Sequence, residues 1–281
     1  MSGSITLENR FGVNKMELIS LKYAIFVIVL LVLYYCFPKK YRWYVLLAGS
    51  MAYYVIICKW YVLFIIFTIC TTYGSTIWID KLLKEQNAIV KSHKEDWDRQ
   101  TRKEYKEKGR KKRVAVMLFA LLCNFGILAF LKYIPYAGEL GLLLPLGISF
   151  YTFQSMGYVM DVYREIVEPE KNFLKVALFV SFFPQIIQGP IAIYDKLAGQ
   201  LYEGHSLRLE NLQKGALLVL WGVMKKLVIA DRAVNIINFV MDKPMDFSGT
   251  YVFFAAVVYA LQLYADFSGG IDIVRGIAEM F

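Results

Sequence analysis

Histidine is scarce in this chain of 281 residues, which contains only His93 and His205. Both stand in polar stretches outside the apolar runs, without a nearby nucleophile or a metal-ligand spacing. Solvated loop histidines are the ordinary interpretation of that context. The sequence also has no Walker-type phosphate loop and no G-x-S-x-G nucleophile elbow. The motifs of nucleotide-binding proteins and serine hydrolases are therefore missing, and no metal site is expected.

Cysteine is nearly as scarce, and its four positions share one environment. All lie within or at the edges of apolar blocks, without the spacing of metal ligands: Cys36, Cys58, Cys70 and Cys123. We interpret them as packing residues rather than disulfides or ligands.

Targeting and repeat signals are also missing. Residues 1–17 are polar and near neutral, and no short apolar core with a small-residue cleavage site follows them. No cleaved signal peptide is expected, and the first apolar run itself would direct insertion. The sequence shows no internal repeat of the kind that many transporters carry.

Long apolar runs dominate what is present. Hydrophobic residues make up 58% of the chain and the mean hydropathy is +0.46. A helix that crosses a bilayer needs about 20 mostly apolar residues. The candidate runs are Leu18–Phe37, Trp43–Cys58, Trp60–Ile79, Val114–Leu131, Pro145–Tyr163, Leu174–Pro190, Leu212–Ala230 and Tyr251–Phe267. The sequence therefore predicts an all-α, polytopic transmembrane protein with about eight spans.

Charge predicts the orientation of these spans. Segment 80–113 contains thirteen cations and seven acids, and it carries most of the formal net charge of +9. Cationic loops stay on the cytoplasmic side, so this loop is expected inside. The basic connector 38–42 then also lies inside, as the same rule requires. We expect a multi-pass protein of a bacterial-type cell (plasma) membrane with its N-terminus outside.

The predicted organisation has four parts. They are an extracytoplasmic segment 1–17, a three-span bundle 18–79, the charged cytoplasmic loop 80–113 and a core 114–281. Binding of nucleic acid is the functional alternative for the loop, but interleaved acids and flanking spans argue against it. A solvated or amphipathic helix near anionic headgroups is the preferred interpretation.

Three polar seams interrupt the runs of the second half: Pro145–Ser155, Ser181–Pro190 and Gln262–Gly270. Polar groups at membrane depth belong beside protein or a wet cavity, and ionisable groups in spans point to function. The candidates for a substrate channel are Gln154, Gln185, Gln188, Tyr264, Asp266 and Ser268. The alternative is interhelical contact without chemistry, with Asp161–Arg164 as a structural ion pair and Lys225 and Lys226 snorkelling.

The seams carry a family resemblance. The segments Leu144–Arg164, Phe182–Ile191, Trp221–Arg232 and Tyr259–Gly269 closely resemble membrane-bound O-acyltransferases. The most similar branch contains the alginate O-acetylation proteins and the D-alanyl transfer protein of teichoic-acid modification. Phe37–Tyr54 fits the same branch, and the motifs occur in the expected order.

The resemblance implies a helical funnel through the membrane. No tightly bound cofactor is implied; an acetyl or other acyl thioester, or an acylated carrier protein, approaches from the cytoplasmic side as co-substrate. The implied acceptor is a hydroxyl of an extracytoplasmic polysaccharide or teichoic acid. A partner acetyltransferase subunit is a further candidate partner. Acetylation of alginate-like or other exopolysaccharides is the preferred function, and D-alanylation of teichoic acid is the alternative.

The sequence departs from the family pattern near its end. The family's histidine, the general base for the acceptor hydroxyl, sits in a tryptophan- and arginine-rich stretch downstream of the Asp-Phe-Ser-Gly motif. No such stretch precedes Phe281, and neither His93 nor His205 matches its context, so the catalytic role transfers to no residue here. We expect a truncated core, the N-terminal part of a longer enzyme, that is inactive alone. Gly270 also replaces an expected aromatic residue.

Two rival classes remain open. A transporter would also combine spans with polar seams, but it predicts repeats and substrate flux without acyl consumption. A non-catalytic membrane scaffold would need no polar cavity.

Overall fold

Helices are the only regular structure in the part of the chain that the structure describes. This computed structural model describes residues 19–93, 96–133 and 144–281. The predicted extracytoplasmic segment 1–17 lies outside the described residues. In chain order the α-helices are α1 (Leu21–Cys36), α2 (Arg42–Cys58), α3 (Val62–Ser92), α4 (Arg99–Tyr133), α5 (Ile148–Tyr163), α6 (Phe173–Ser181), α7 (Phe183–Gln188), α8 (Tyr194–Tyr202), α9 (Leu209–Met224), α10 (Asp231–Met241) and α11 (Gly249–Glu279).

Shorter helical turns join some of these helices. Three 3₁₀ turns occupy Lys39–Tyr41, Lys59–Tyr61 and Pro244–Asp246, and a π-helix occupies Lys225–Ala230 between α9 and α10. Lys59 has a φ of 47°, in the left-handed region that side chains other than glycine rarely adopt. It separates two of the predicted spans, which otherwise follow each other directly.

Three helical stretches among the described residues are long and apolar enough to cross a membrane: Lys39–Ser92, Arg99–Tyr133 and Gly249–Glu279. Leu21–Cys36 and Phe173–Gln188 are apolar but shorter. The helical membrane-protein class is thereby confirmed, and the count of about eight crossings stays a prediction. The candidate span Leu174–Pro190 is divided at Phe182, and α6 alone, about 13 Å long, is too short to cross.

The charged segment 80–113 is largely helical, in agreement with the preferred interpretation of a solvated or amphipathic helix. The helix α3 continues to Ser92, and α4 begins at Arg99. The two helices run antiparallel: Asn124 Nδ2 donates to Thr71 Oγ1 over 2.9 Å, and Gln86 Nε2 donates to the Lys106 carbonyl over 3.0 Å. The charged ends of both helices therefore continue the apolar parts without a change of direction.

The chain divides into two compact units. The first comprises Leu46–Phe183 and Ile191–Glu203. Its helices α3, α4, α5, α6 and α8 pack on one another around buried aromatic rings. The rings of Tyr158 and Tyr194 stack with centroids 4.1 Å apart, and Phe179 meets Tyr194 edge-on at 4.9 Å.

The second unit comprises the described part of Lys15–Val45, together with Pro184–Pro190 and Gly204–Phe281. The helices α9, α10 and α11 and the π-helix form most of its contacts. Helix α1 is joined to the end of α11, because the Tyr35 hydroxyl donates to the Met280 carbonyl over 2.7 Å.

Candidate functional site

Glycines bring α9 and α11 into backbone contact in the second unit. A Cβ on Gly222 would lie 2.5 Å from the Gly269 carbonyl oxygen, and one on Gly215 would lie 2.5 Å from that of Gly276. Small residues at the contact allow helices in membranes to approach closely. The seven-residue spacing on both helices is typical of a left-handed, nearly parallel or antiparallel helix pair. Side chains next to these glycines on each helix therefore lie directly against the other helix.

Two ion pairs extend this contact into the π-helix. Lys225 Nζ lies 2.6 Å from Asp272 Oδ2, and Lys226 Nζ is bonded to Asp266 Oδ1. Adjacent residues of an α-helix point about 100° apart, yet both lysines here reach α11. The π-helix is wider, and such segments recur at functional sites. The lysines that could have snorkelled to a membrane surface are thus held by aspartates of the neighbouring helix.

The side chain of Gln188 covers Gly270. A Cβ on Gly270 would lie 2.2 Å from Gln188 Oε1, so no larger residue fits at this position while the glutamine keeps its place. This contact explains in physical terms why glycine stands where the family resemblance led us to expect an aromatic ring. It also brings α7 and α11 together beside the two ion pairs.

Two buried polar atoms of the second unit have no hydrogen-bond partner among the described residues: Gln185 Oε1 and Ser268 Oγ. The amide nitrogen of Gln185 is satisfied, since it donates to the Pro190 carbonyl over 3.1 Å. A serine hydroxyl inside a helix commonly bonds back to the preceding turn, which Ser268 does not do. Buried polar atoms without partners are costly, so both atoms remain available to a bound polar group.

The channel candidates of the second unit therefore differ in position. Gln188, Asp266 and Ser268 lie on or beside the contact of α7 and α9 with α11. Tyr264 does not, because its side chain is 69% exposed on the outer face of α11. The third seam grouped Tyr264 with Asp266, although positions two apart on an α-helix point about 200° apart, so helical periodicity could have separated them.

Gln154 belongs to the first unit, where its side chain hydrogen-bonds a backbone group at the break between α6 and α7. Its Nε2 donates to the Phe179 carbonyl over 2.8 Å, while the Phe183 N–H donates to Ser50 Oγ over 3.2 Å. These two backbone groups would bond each other in a continuous helix. The turn at Phe182 separates them, and side chains of α5 and α2 replace the lost bond. This role corresponds to the alternative of interhelical contact without chemistry.

The proposed structural pair Asp161–Arg164 is not formed in the described structure. Arg164 caps the C-terminal end of α5 and is exposed, and Asp161 is only partly covered. Three residues apart at a helix end, the two side chains gain little from pairing in contact with solvent. The nearby ion pair is instead Arg113–Glu165, with 3.8 Å between Nη1 and Oε1.

The polar side chains on or beside the contact with α11 form one cluster, the polar cluster of the second unit: Gln185, Gln188, Lys225, Lys226, Asp266, Ser268 and Asp272. Neither histidine lies in it. His93 ends α3 and stacks on Trp97 with ring centroids 4.9 Å apart. The backbone of His205 accepts from Arg42 and donates to the Tyr34 hydroxyl, while its side chain is exposed. Among the described residues of the cluster, no nucleophilic hydroxyl is hydrogen-bonded to a general base. The cluster can orient a polar group by hydrogen bonding and charge.

Sequence reasoning missed two parts of this site. Asp272, the partner of Lys225, lay outside the seams because the third seam ended at Gly270. The glycine contact was also missed, although its signal is visible in the sequence: Gly215 and Gly222 are seven residues apart, as are Gly269 and Gly276. Equal spacing of glycines in two helical segments is a usable indicator of close helix contact.

Comparison with known proteins gives the site a context. The peptidoglycan O-acetyltransferase of Helicobacter pylori is 32% identical over 203 residues, which is 59% of this chain and 38% of that protein. The probable alginate O-acetylase AlgI of Pseudomonas syringae pv. tomato is 36% identical over 140 residues, or 49% of this chain and 26% of that protein. The predicted resemblance to membrane-bound O-acyltransferases is confirmed.

A third relative, the probable alginate O-acetylase AlgI of Pseudomonas putida, is 32% identical over 165 residues, 58% of this chain and 32% of its own length. The chain thus covers between about a quarter and two fifths of the membrane-bound O-acyltransferases described here. No family model matches it.

Proposed function

We propose that this chain forms part of a membrane-bound O-acyltransferase that transfers an acetyl group to a hydroxyl of an exported polysaccharide or cell-wall polymer. The printed functions of the relatives, peptidoglycan O-acetyltransferase and probable alginate O-acetylase, support the reaction class. The acyl donor would be a thioester or an acylated carrier on the cytoplasmic side, without a tightly bound cofactor. The acceptor would approach from the opposite side.

One structural observation carries the proposal. Three of the four family-like segments meet in the polar cluster of the second unit. The segment Phe182–Ile191 contributes Gln188, Trp221–Arg232 contributes both lysines, and Tyr259–Gly269 contributes Asp266 and Ser268. Segments far apart in the sequence that converge on paired charges and unsatisfied polar atoms favour a functional site over lipid-facing helices.

The cluster would position rather than perform the chemistry. Ion-paired lysines and aspartates hold α9 and α11 in register, and the free acceptor atom of Gln185 and the Ser268 hydroxyl can hydrogen-bond a hydroxyl-bearing or carbonyl-bearing substrate. General-base catalysis requires a group in hydrogen-bond reach of the acceptor hydroxyl. The proposal assigns that role to neither His93 nor His205, because both lie outside the cluster.

The test is chemical analysis of polymers from the native host. The chromosomal copy is changed to Asp266→Asn or Gln188→Leu, and the acetate that mild alkali releases from purified cell-wall and exopolysaccharide fractions is measured. We expect ester-linked acetate to fall by about tenfold or more if each variant removes a positioning contact, which is worth about 1.5 kcal/mol or more. Immunoblots of the membrane fraction establish equal protein levels.

The matched control is Leu261→Met, which changes an exposed apolar side chain of the same helix α11. It should retain the acetate content of the parent strain. Loss of ester-linked alanine in place of acetate would instead support D-alanylation. Unchanged acetate and alanine in the Asp266 and Gln188 variants would contradict the enzyme proposal and favour a transporter or scaffold.

A further inference from the structure

A basic cavity of about 600 Å³ lies between α3 and α4 in the first unit, at the charged ends of both helices. The cations that line it among the described residues come from one stripe of α4. Their spacings of three, four and seven residues place them on the face toward α3. These cations are Arg99, Arg102, Lys103, Lys106, Arg110 and Arg113. A helix normally turns apolar residues toward its partner, so this stripe is unusual.

The cavity wall is fixed by a buried glutamine. Gln86 of α3 is 6% exposed, and its Nε2 donates to the Lys106 carbonyl over 3.0 Å. A Cβ on Gly109 would lie 2.6 Å from the Gln86 amide, so glycine at this position lets the glutamine reach α4. The contact of Gln86 with α4 therefore fixes the distance between the two helices beside the cations, which repel one another.

One guanidinium at the inner end of the cavity is buried and incompletely paired. Arg113 is 9% exposed, and its Nε and Nη1 have no hydrogen-bond partner among the described residues. The carboxylate of Glu165 lies 3.8 Å from Nη1, beyond hydrogen-bond distance, and its side chain is 54% exposed. A buried charge with unsatisfied donors is costly. An anion inside the cavity would supply the missing acceptors.

We propose that this cavity binds a phosphate ester. Guanidinium groups match phosphate oxygens in a bidentate geometry, and arginine is the residue that most often recognises them. Among the described residues that line the cavity, six cations face two acids, Glu107 and Glu165. The volume is far larger than a single ion needs, and it lies within the range of sites for organic ligands.

The position of the cavity leaves two sources for this phosphate. Arg113 directly precedes Val114, the first residue of an apolar run of α4. This boundary is the depth at which phospholipid headgroups meet a membrane helix, and basic pockets there bind anionic lipids. A soluble phosphate ester presents the same oxygens from the aqueous side. The inference is independent of the acyltransferase proposal, because it uses none of its residues.

The experiment measures the thermal unfolding midpoint of the full chain in nanodiscs at constant ionic strength. One arm compares phosphatidylcholine with phosphatidylcholine plus phosphatidylglycerol, and the other adds sn-glycerol 3-phosphate to phosphatidylcholine nanodiscs. We expect the midpoint of the parent protein to rise in at least one arm. The double variant Lys106→Gln/Arg110→Gln should weaken the apparent affinity by about tenfold or more, because charge-assisted bonds to phosphate are lost.

The matched control is Lys111→Gln/Lys112→Gln, which removes two exposed cations of the same helix that do not line the cavity. It should keep the ligand-induced rise within about twofold in affinity. A rise in the lipid arm alone identifies a headgroup, and a rise with glycerol 3-phosphate identifies a soluble ester. No rise in either arm, or equal loss in both double variants, overturns the proposal.

Discussion

Lys225 and Asp272 show how a charge is kept inside a membrane helix pair. Their side chains are only 17% and 14% exposed, and each is the counter-charge of the other. Removing one partner of such a pair is costly, because the other charge is left without compensation. Replacing both with apolar residues avoids that cost. Single and double substitutions are therefore expected to have different effects on stability.

Asp272→Asn should therefore lower the free energy of unfolding by about 2–4 kcal/mol. The double variant Lys225→Met/Asp272→Leu should recover most of that loss. Thermal unfolding of both proteins in the same detergent checks the expectation. A double variant less stable than Asp272→Asn would show that the pair stabilises the structure beyond mutual neutralisation.

The contact of Gln154 also predicts how its substitution changes the free energy of unfolding. Gln154→Leu keeps an apolar side chain of similar length but leaves the Phe179 carbonyl without its donor. The expected loss is about 1–3 kcal/mol in unfolding free energy, the desolvation cost of one buried acceptor. Leu174→Met, a change at an exposed position of α6, should stay within about 0.5 kcal/mol. Equal effects of both changes would contradict the assigned role.

At the scale of elements, the contact between α9 and α11 depends on the absence of side chains. Gly222→Ala places a methyl group against the Gly269 carbonyl, so the helices must separate and the ion pairs beyond the contact must lengthen. We expect a loss of about 1–3 kcal/mol in unfolding free energy, the typical cost of overpacking. Thermal unfolding in detergent measures it.

The control for this change is Gly126→Ala in α4, where a Cβ would meet no atom within 4 Å. Alanine should stabilise that helix by up to about 1 kcal/mol, because glycine is the poorer helix former. The two substitutions are chemically identical and are expected to have opposite signs. The same sign at both positions would argue against close backbone contact at Gly222.

Helix α8 is attached through Tyr202, whose hydroxyl donates to the Lys175 carbonyl over 2.8 Å. Burial raises the pKa of Tyr202 well above its ordinary value, and neighbouring Tyr194 adds to the effect. The neutral hydroxyl is therefore favoured in the folded state. Its stabilising contribution is complete below the unfolded pKa of about 10 and is lost as the pH rises above it, because the unfolded chain releases the proton first.

Tyr202→Phe should consequently flatten the fall of the unfolding midpoint between about pH 9 and pH 11. Tyr133→Phe, at an exposed tyrosine, should leave the pH profile unchanged. Thermal unfolding across this pH range gives both profiles. Parallel profiles for the parent protein and Tyr202→Phe would refute the link between this hydroxyl and alkaline stability.

At the scale of the whole molecule, the charge distribution predicts orientation. Two single-cysteine variants, Ser4→Cys and Ser92→Cys, are made in a chain whose native cysteines are replaced. The predicted orientation places the two cysteines on opposite sides of the membrane. A membrane-impermeant maleimide should label Ser4→Cys in intact cells and Ser92→Cys only after the membrane is opened, because cationic segments stay inside. The reverse pattern would contradict the predicted orientation.

The sequence predicted the helical membrane class and the family resemblance well, since long apolar runs and ordered motifs are local signals. It kept the run Leu174–Pro190 whole, although Pro184 is a signal for a helix break. Hydropathy could not reveal that Ser50 and Gln154 meet the backbone at this break. The sequence favoured a helix within 80–113 but could not show that the ends of α3 and α4 form it, because charge alone does not locate helix ends. Tyr264 and Asp266 were grouped by polarity alone, although positions two apart on an α-helix point to nearly opposite faces.

The break at Phe182 has a consequence for the order of assembly. In bare lipid, the Phe179 carbonyl and the Phe183 N–H have no partner except each other, so breaking that bond there is costly. Pro184 already weakens the helix at this point, because it has no N–H and its ring crowds the Val180 carbonyl. The bend gains its replacement hydrogen bonds when α2 and α5 present Ser50 and Gln154. Helices far away in the sequence thus determine when this segment takes its final form, and its bend reports completed packing of the first unit.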